Sequence, residues 1–319
     1  MVFNEDLTCL GGDGTPCNEK FLHAFKDVAT LSAGRYLYAL PLLWRLERFL
    51  NIGGEKRLRE SIKIVHEFIE NIIKCRIQDN ESGREVDLLS RFIAASDENL
   101  ENSLQFLRDF CIGFILAGRD TYTVLVWFYW LLSSRPEIER NILEEIKAIR
   151  NSNGKCIGDN YDLAELRQMH YLHAAISEAM RLYPTPTINT KVSQEEDIMP
   201  DGTFVGKGWF VAYTAYGMGR MENLWGKDCN DFVPERWLDN GMFKPESPYK
   251  YSAFHGGPRM CLGKDLAYVQ MKLIAASMIE KFKIEVVDKA MCPEHLCLTN
   301  KMRDRLMVRV KERSMIVID

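Results

Sequence analysis

The sequence predicts a mainly α-helical protein of the α+β class, with small β-sheets in its second half. Three observations lead to this prediction. Apolar residues recur at helical spacing through most of residues 55–182, short strand-like runs follow Pro184, and another helical stretch covers residues 262–282. The 319 residues are 46% hydrophobic, which is ample for a core, and their number suits one or two domains.

A series of helices is predicted before Pro184. Residues 55–77 carry one apolar face, formed by Leu58, Ile62, Val65, Phe68 and Ile72. The other helices cover residues 87–95, 100–132, 134–150 and 163–182, the last broken near Met169. Ser134 and Glu137 have the spacing of a capping box, and Pro136 suits a first helical turn. We therefore expect Ser134 to cap its helix.

The second half is predicted to be less regular. Strand-like runs lie around residues 187–193 and 203–213, and further short strands are expected over 283–319. Residues 222–260 are rich in Gly, Pro, Asn and aromatic residues and have little periodicity. A stretch of that length without regular elements is usually functional.

Charge and cysteine content narrow the class of protein. A net charge of −4 argues against a nucleic-acid partner, since a binding face for nucleic acid is usually strongly basic. Nine cysteines without repeated spacing indicate a reducing compartment rather than a disulfide framework. Residues 110–132 are long enough to cross a membrane, but Arg119 and Asp120 at their centre favour a helix packed inside protein.

The stretch FHGGPRMCLG, residues 254–263, places one cysteine among glycines directly before a predicted helix. Backbone N–H groups and the dipole at the start of that helix favour a thiolate at Cys261, and Arg259 adds positive charge. Gly257 and Gly263 allow a tight turn and the close approach of a flat group. Such a thiolate suits either a nucleophile or a metal ligand, and His255 is the candidate base for a nucleophile.

Two kinds of metal site are compatible with the cysteines. Cys292, His295 and Cys297 cluster three possible zinc ligands, but no second pair stands at the usual spacing, which favours a chance arrangement. Haem-thiolate ligation needs one cysteine, close backbone approach and a cation for the propionates. Residues 254–263 supply all three.

Four motifs carry a resemblance to one family. Phe254, Gly257, Arg259, Cys261 and Gly263, in the spacing FxxGxRxCxG, resemble the haem-binding loop of cytochromes P450. The stretches AGRDT (117–121), EAMR (178–181) and FVPERW (232–237) resemble its oxygen-activating turn, its ExxR motif and its PERF-type motif. Four motifs in the family's order over about 150 residues argue against coincidence. Within the superfamily the chain resembles the plant fatty-acid ω-hydroxylase clan, particularly the family numbered 94.

The resemblance implies a cytochrome P450 fold. It implies a single catalytic domain over residues 1–319 that corresponds to the C-terminal majority of such a protein, without the membrane anchor and first helices. Cys261 is then the axial metal ligand of haem b, Phe254 packs beside it, and Arg259 pairs with a propionate. Gly257 and Gly263 complete the haem-binding loop.

The resemblance also assigns roles outside the haem loop. Thr121 is expected to hold bound dioxygen with an ordered water, and Asp120 to relay protons; Tyr122 departs from the family's usual Thr or Ser. A structural network is expected among Glu178, Arg181 and Arg236, since the first two share one helix face. The substrate pocket is expected to include Phe114, Ile115, Thr187 and Ile188, in a TPTIN segment that departs from the family's more usual PPVPVD.

The function implied is hydroxylation of the terminal (ω) carbon of fatty acids or related oxylipins. Electrons would come from NADPH through NADPH–cytochrome P450 reductase, at the cytosolic face of the endoplasmic reticulum membrane. Arg259, Lys264 and Lys272 form either a solvated basic face or a surface that docks the acidic reductase. The alternatives are a truncated, haem-free chain without catalysis and a zinc-binding interaction module.

Overall fold

The computed structural model describes residues 16–38, 40–79, 88–95, 100–287, 294–295, 300–302 and 306–313. In these ranges helix predominates and the strands pair in small antiparallel sheets, so the predicted fold class is confirmed. The chain divides into two compact units, Met1–Gly118 and Arg119–Asp319, which are described separately below. That residues 1–319 form a single domain stays a prediction.

The first unit is helical. Its helices are α1 (Pro16–Gly34), α2 (Pro41–Leu50), α3 (Gly53–Asp79), α4 (Leu88–Ala95) and the first part of α5 (Leu100–Leu132). Of the predicted apolar face of α3, Leu58, Val65 and Ile72 are buried. Phe21 of α1 stacks on Phe68 of α3 with ring centroids 4.2 Å apart. The predicted apolar face of α3 therefore packs in the core of this unit.

The second unit is built around the last part of α5, α6 (Pro136–Ser152), α7 (Leu163–Gln168), α8 (His170–Leu182) and α11 (Lys264–Lys281). Two single-turn helices, α9 (Ala215–Met218) and α10 (Glu222–Trp225), lie between α8 and α11 in the sequence. The apolar stripe of α6 is fully directed to the core and consists of Ile138, Ile142, Ile146 and Ile149. Helix packing therefore forms the core of this unit.

The start of α6 differs from the prediction. Arg135, in a non-helical conformation, is the N-cap residue, and no side chain caps the helix. Pro136 occupies the first turn, as expected. Ser134 lies one residue too early to cap the helix, so the predicted capping box is wrong.

The predicted break near Met169 is confirmed. Met169 has φ −75° and ψ 84°, which separates α7 from α8. The new N-terminus is capped from another helix, because the Glu145 carboxylate of α6 accepts hydrogen bonds from the backbone N–H groups of Tyr171 (2.6 Å) and Leu172 (2.9 Å). A long-range carboxylate therefore satisfies donors that the break leaves free.

The strands form five two-stranded antiparallel sheets among the described residues. Near the centre of the chain, β1 (Asn189–Val192) pairs with β4 (Phe210–Tyr213), and β2 (Asp197–Ile198) with β3 (Phe204–Val205). The remaining pairs are β5 (Leu238–Asp239) with β6 (Met242–Phe243), β7 (Phe282–Val286) with β10 (Val308–Glu312), and β8 (Glu294–His295) with β9 (Lys301–Met302). The register of β1 and β4 places Asn189 opposite Tyr213.

Among the described residues, one helical segment, Leu104–Leu132 in α5, is long and apolar enough to cross a membrane, and 22% of its 18-residue apolar stretch is buried. In the second unit Val124, Trp127, Phe128 and Leu131 of α5 are buried in protein. These four residues are packed in protein, as the charged pair Arg119–Asp120 predicts, but for the helix as a whole burial stays a prediction.

His173 of α8 lies in an aromatic stack inside the second unit. Its ring stacks on Phe243 at 3.8 Å and lies 4.0 Å from the ring of Tyr268. Burial, together with the nearby positive charge of Lys272, lowers the pKa of His173 to about 3. The folded protein therefore keeps this ring neutral through the neutral and mildly acidic range.

We expect His173 to make the protein less stable in acid. In the unfolded chain the ring has its ordinary pKa of 6.5, so below that pH the unfolded state binds a proton that the folded state refuses. The contribution of the neutral His173 ring to the free energy of unfolding is therefore fully present above about pH 6.5 and is lost as the pH falls below that value. Between about pH 7.5 and about pH 5.5, His173 should account for about 1.4 kcal/mol of the loss.

Urea unfolding at the two pH values measures this difference. His173→Phe keeps an aromatic ring in the stack and should reduce the loss by about 1.4 kcal/mol. His23→Phe, at an exposed position of α1, is the control and should leave the loss as it is. An unchanged pH dependence in His173→Phe would contradict the assignment.

Candidate active site

Cys261 lies in a loop that begins at Phe254 and ends where α11 starts. The backbone N–H of Cys261 donates to the Phe254 carbonyl at 2.8 Å, which closes the loop on itself. Gly257 has φ +68°, a left-handed conformation that favours glycine. Cys261 is half-buried and lies three residues before the first residue of α11. The predicted thiol at a helix N-terminus is therefore present.

The residues of this loop fit a haem group bound through sulfur. A Cβ placed at Gly263 would lie 4.0 Å from the Cys261 sulfur, so glycine leaves open a space beside the thiol. Apolar side chains flank the sulfur in sequence, with Met260 50% and Leu262 86% exposed. Arg259 is exposed as well and can meet a carboxylate. A soft thiol, apolar neighbours and an exposed guanidinium match the donor chemistry of haem-thiolate binding.

Phe254 packs at the other end of the loop. Its ring lies 5.3 Å from that of Tyr268 on α11 and packs against the core of the second unit. His255, the candidate base of a cysteine hydrolase, is bonded through Nδ1 to the Tyr213 hydroxyl at 2.7 Å. The loop is therefore joined to both α11 and β4.

The structure brings together Glu178, Arg181 and Arg236. Arg181 donates from Nε and Nη2 to the two oxygens of Glu178 at 2.7 and 2.8 Å, and both side chains are fully buried. Arg236 Nε donates to Glu178 at 2.9 Å, and its Nη2 donates to Asp228 at 3.0 Å. The network that the motifs predict is therefore formed.

Further partners complete the Glu178 network. Trp237 Nε1 and the Val233 backbone N–H each donate to the Glu178 carboxylate at 2.9 Å. Arg181 donates to the carbonyl oxygens of Cys229 at 2.6 Å and Asp231 at 2.9 Å, and also to that of Gly219. One ion pair on α8 thereby fixes the irregular chain between residues 219 and 237. Sequence reasoning missed these partners, although Trp237 stands beside Arg236 in the motif.

Asp120 and Thr121 are half-buried at the beginning of the second unit. The helix is continuous through them, and Thr123 Oγ1 donates to the Arg119 carbonyl at 3.3 Å. Tyr122, the departure from the family pattern, is 55% exposed, so its phenol is not packed in the core of this unit.

The predicted pocket residues lie in different units. In the first unit the Phe114 ring lies 4.5 Å from that of Phe110, and Ile115 packs against the core. In the second unit Thr187 is buried, and its carbonyl accepts a hydrogen bond from Thr214 Oγ1 at 3.0 Å. Ile188 is 43% exposed and available for contact.

Comparison with known proteins decides the family. The family model described as Cytochrome P450 matches residues 2–307. The chain belongs to the cytochrome P450 family. Its similar relatives include cytochrome P450 CYP94D108 of Paris polyphylla, 47% identical over 98% of the chain, and cytochrome P450 86B1 of Arabidopsis thaliana, 44% identical over 100%. Cytochrome P450 94C1 of Arabidopsis thaliana is 43% identical over 84%.

The chain spans 63%, 59% and 53% of the lengths of these three relatives. Their names confirm the predicted resemblance to the plant family numbered 94 and its clan. Cytochromes P450 are monooxygenases that use haem and electrons supplied by a reductase, and those parts of the prediction are confirmed for the family.

One predicted surface residue of this P450 is buried. Lys272 of α11 is 5% exposed, and its ammonium group donates to the Leu166 carbonyl. Burial lowers its pKa. Lys272 therefore belongs neither to a solvated basic face nor to a docking surface, whereas Arg259 is exposed and Lys264 half-buried.

The zinc hypothesis concerns residues at the edge of the described chain. Cys292 and Cys297 lie outside the described residues, and so does the side chain of His295. Among the described residues, no group of three or more His, Cys, Asp or Glu side chains could hold a metal ion. Because the chain belongs to the P450 family, Cys261 is the candidate metal ligand instead.

Replacing Glu178 by Gln should destabilise this P450 strongly. The change leaves the buried guanidinium of Arg181 without its counter-charge and leaves Arg236 with Asp228 alone. Removing one partner of a buried ion pair typically costs about 3–5 kcal/mol. Urea unfolding followed by circular dichroism measures the loss. Glu222→Gln, at an exposed position of α10, is the matched control and should stay within about 0.5 kcal/mol of the parent. Equal losses in both variants would contradict the network's role.

Proposed function

We propose that this protein is a haem-thiolate monooxygenase that hydroxylates the terminal carbon of fatty acids or related oxylipins. The observation that carries the proposal is the half-buried Cys261 thiol in a glycine-containing loop before α11, in a chain of the P450 family. The resemblance of its motifs to the plant fatty-acid ω-hydroxylase clan supports the substrate class. The other site residues retain the roles that this resemblance implies.

Cys261 is the proposed ligand of the haem iron. The bound haem supplies the chemistry that inserts one oxygen atom of O₂ into an unactivated C–H bond. Cys261 lies three residues before the first residue of α11, and as a thiolate it would donate electron density to the haem iron. Arg259 pairs with a propionate, Phe254 packs beside the ligand, and Gly257 and Gly263 keep the loop tight and open to a flat group.

Asp120 and Thr121 are the proposed residues for proton delivery. The reaction consumes two protons inside a pocket that must exclude bulk water, so a short hydrogen-bonded relay is required. The Thr121 hydroxyl can hold an ordered water, and the Asp120 carboxylate can pass protons to it. Their half-burial on α5 supports this role, because it allows protons to enter from the surface.

Substrate selection is proposed to depend on shape. A terminal methyl group has stronger C–H bonds than the neighbouring methylenes, so reaction at the chain end requires positioning rather than reactivity. By resemblance, the proposed substrate-contacting residues are Phe114, Ile115, Thr187 and Ile188. Their mostly apolar character supports a lipid chain as the substrate.

The proposed electron donor is NADPH–cytochrome P450 reductase. The exposed Arg259 and the half-buried Lys264 lie on the cysteine loop and at the start of α11. Positive charge beside the haem ligand would steer an acidic partner to this side of the protein.

The proposed location is the cytosolic face of the endoplasmic reticulum membrane, and α2 supports contact with lipid. Leu42 is 71% and Phe49 85% exposed, and both lie in a helix that also carries Arg45 and Arg48. The helix is held to the first unit from its other side, where Glu47 accepts a hydrogen bond from the Tyr38 hydroxyl at 3.0 Å. An amphipathic helix with basic residues suits the interface of a lipid bilayer.

The haem ligand can be tested by spectroscopy. We expect the chain reconstituted with haem, reduced and exposed to CO, to show the long-wavelength Soret band of thiolate ligation. Cys261→Ala should abolish that band, whereas Cys156→Ala, at an exposed position, should retain it. A wild-type spectrum of histidine or water ligation would refute the monooxygenase proposal. A chain that takes up no haem would favour the non-catalytic alternative.

Lipid contact through α2 can be tested with vesicles that contain anionic phospholipid. Phe49→Glu should weaken binding at least about tenfold, because it removes an exposed ring that would enter the lipid and adds a negative charge that anionic phospholipid repels. Phe210→Glu changes a ring that is 77% exposed on β4 and should bind like the parent. Co-sedimentation measures both, and equal binding of all three proteins would contradict the role of α2.

A further inference from the structure

His255, the second residue of the cysteine loop, has an unusual backbone conformation. Its φ is +60°, in the left-handed region that residues other than glycine rarely adopt. Asn240 and Asn51 are the other such residues in the described ranges, and asparagine tolerates this region through local hydrogen bonds. A residue keeps such a backbone conformation only when the surrounding structure supports it. The support for His255 therefore bears on how the loop is held.

The support comes from β4. The Nδ1 atom of His255 lies 2.7 Å from the hydroxyl of Tyr213, and the two rings meet edge to face at 78°. The backbone N–H of His255 also donates to the Ser252 carbonyl at 3.0 Å. One local turn and one long-range hydrogen bond therefore hold this residue.

The hydrogen bond joins two neutral groups. Burial, together with the positive charge of Lys191, lowers the pKa of His255. Burial raises the pKa of Tyr213. At neutral pH the phenol can therefore donate to a neutral imidazole, and the bond needs no counter-ion.

Tyr213 is itself well fixed. It is the last residue of β4 and lies opposite Asn189 of β1. Directly after it, Thr214 Oγ1 donates to the Thr187 carbonyl at 3.0 Å and accepts from the Gly217 N–H at 3.2 Å, which caps α9. The hydroxyl that meets His255 thus extends from a sheet end that is anchored on both sides.

The position of His255 also affects the backbone that holds the Cys261 thiol. Phe254, the neighbour of His255, accepts the hydrogen bond from the backbone N–H of Cys261. Fixing His255 therefore fixes the carbonyl group that holds Cys261. Hydrogen bonds and peptide bonds therefore connect the Thr187 carbonyl, through Thr214, Tyr213, His255 and Phe254, to Cys261.

We propose that the Tyr213–His255 hydrogen bond braces the cysteine loop against the β1–β4 sheet and thereby positions the Cys261 sulfur. Tyr213 and His255 are positioning residues, since neither is assigned a contact with substrate or iron. The importance of the brace for catalysis rests on the proposed haem-thiolate function. Its effect on the loop does not, so the two can be tested apart.

The first test uses the chain without haem. Tyr213→Phe removes the hydroxyl and keeps the ring, and it should speed amide hydrogen exchange at Cys261 about tenfold through easier local opening. His255→Gly removes the same bond while tolerating the positive φ, so it should also speed exchange. Adding Tyr213→Phe to His255→Gly should then change nothing further, because the hydroxyl has already lost its partner.

Tyr249→Phe is the matched control. Tyr249 also lies beside the loop, near Gly256, but is 75% exposed, so losing its hydroxyl should leave the exchange rate unchanged. The urea midpoint of each variant shows whether it is folded. Wild-type exchange at Cys261 in folded Tyr213→Phe would overturn the proposal, as would additive effects in the double variant.

The second test uses the haem-loaded protein. Tyr213→Phe should lose haem to excess apomyoglobin about tenfold faster, and its reduced CO complex should show part of the band shifted from the thiolate to the thiol position. Haem loss and spectrum like those of the wild type would overturn the proposal that the brace positions the ligand. If the wild-type chain takes up no haem, the monooxygenase proposal fails, while the exchange measurement still decides whether the brace exists.

Discussion

The buried carboxylate of Glu178 is the constraint on which the second unit depends. A charge at that depth is costly unless it is paired and hydrogen-bonded. Arg181, Arg236, Trp237 and the Val233 backbone meet that requirement together. Between residues 219 and 237 the regular elements are only short helical turns, so contacts with Glu178 and Arg181 of α8 fix this segment, which precedes the cysteine loop.

The cysteine loop is held by fewer contacts, and they are of a different kind. A backbone bond joins Cys261 to Phe254, a glycine supplies the left-handed turn at Gly257, and a neutral hydrogen bond joins His255 to Tyr213. No charge is buried in these contacts. A loop fixed in this way leaves the thiol half-buried and its side chain free to serve as a ligand.

Buried ions recur elsewhere in the second unit. Arg150 of α6 is 2% exposed and pairs with Glu280 of α11 at 2.9 Å and with Glu165 of α7 at 3.2 Å. Arg150 thereby ties α6, α7 and α11 together, and its removal would leave two buried carboxylates uncompensated. Lys272 of α11 is also buried, and its ammonium group donates to the Leu166 backbone carbonyl.

Local pattern was sufficient for helices α3 to α8 and α11, for the break at Met169, for the thiol before α11 and for the Glu178–Arg181 pair, because periodicity, proline placement and i, i+3 spacing act over a few residues. Helices α1 and α2 were not predicted from the sequence. Burial of Lys272, capping of α8 by Glu145, the Trp237 donor and the meeting of His255 with Tyr213 were decided only by tertiary structure. In each case the two partners are separated by many residues along the chain. Whether such groups meet depends on how helices and strands pack, and no local spacing encodes that.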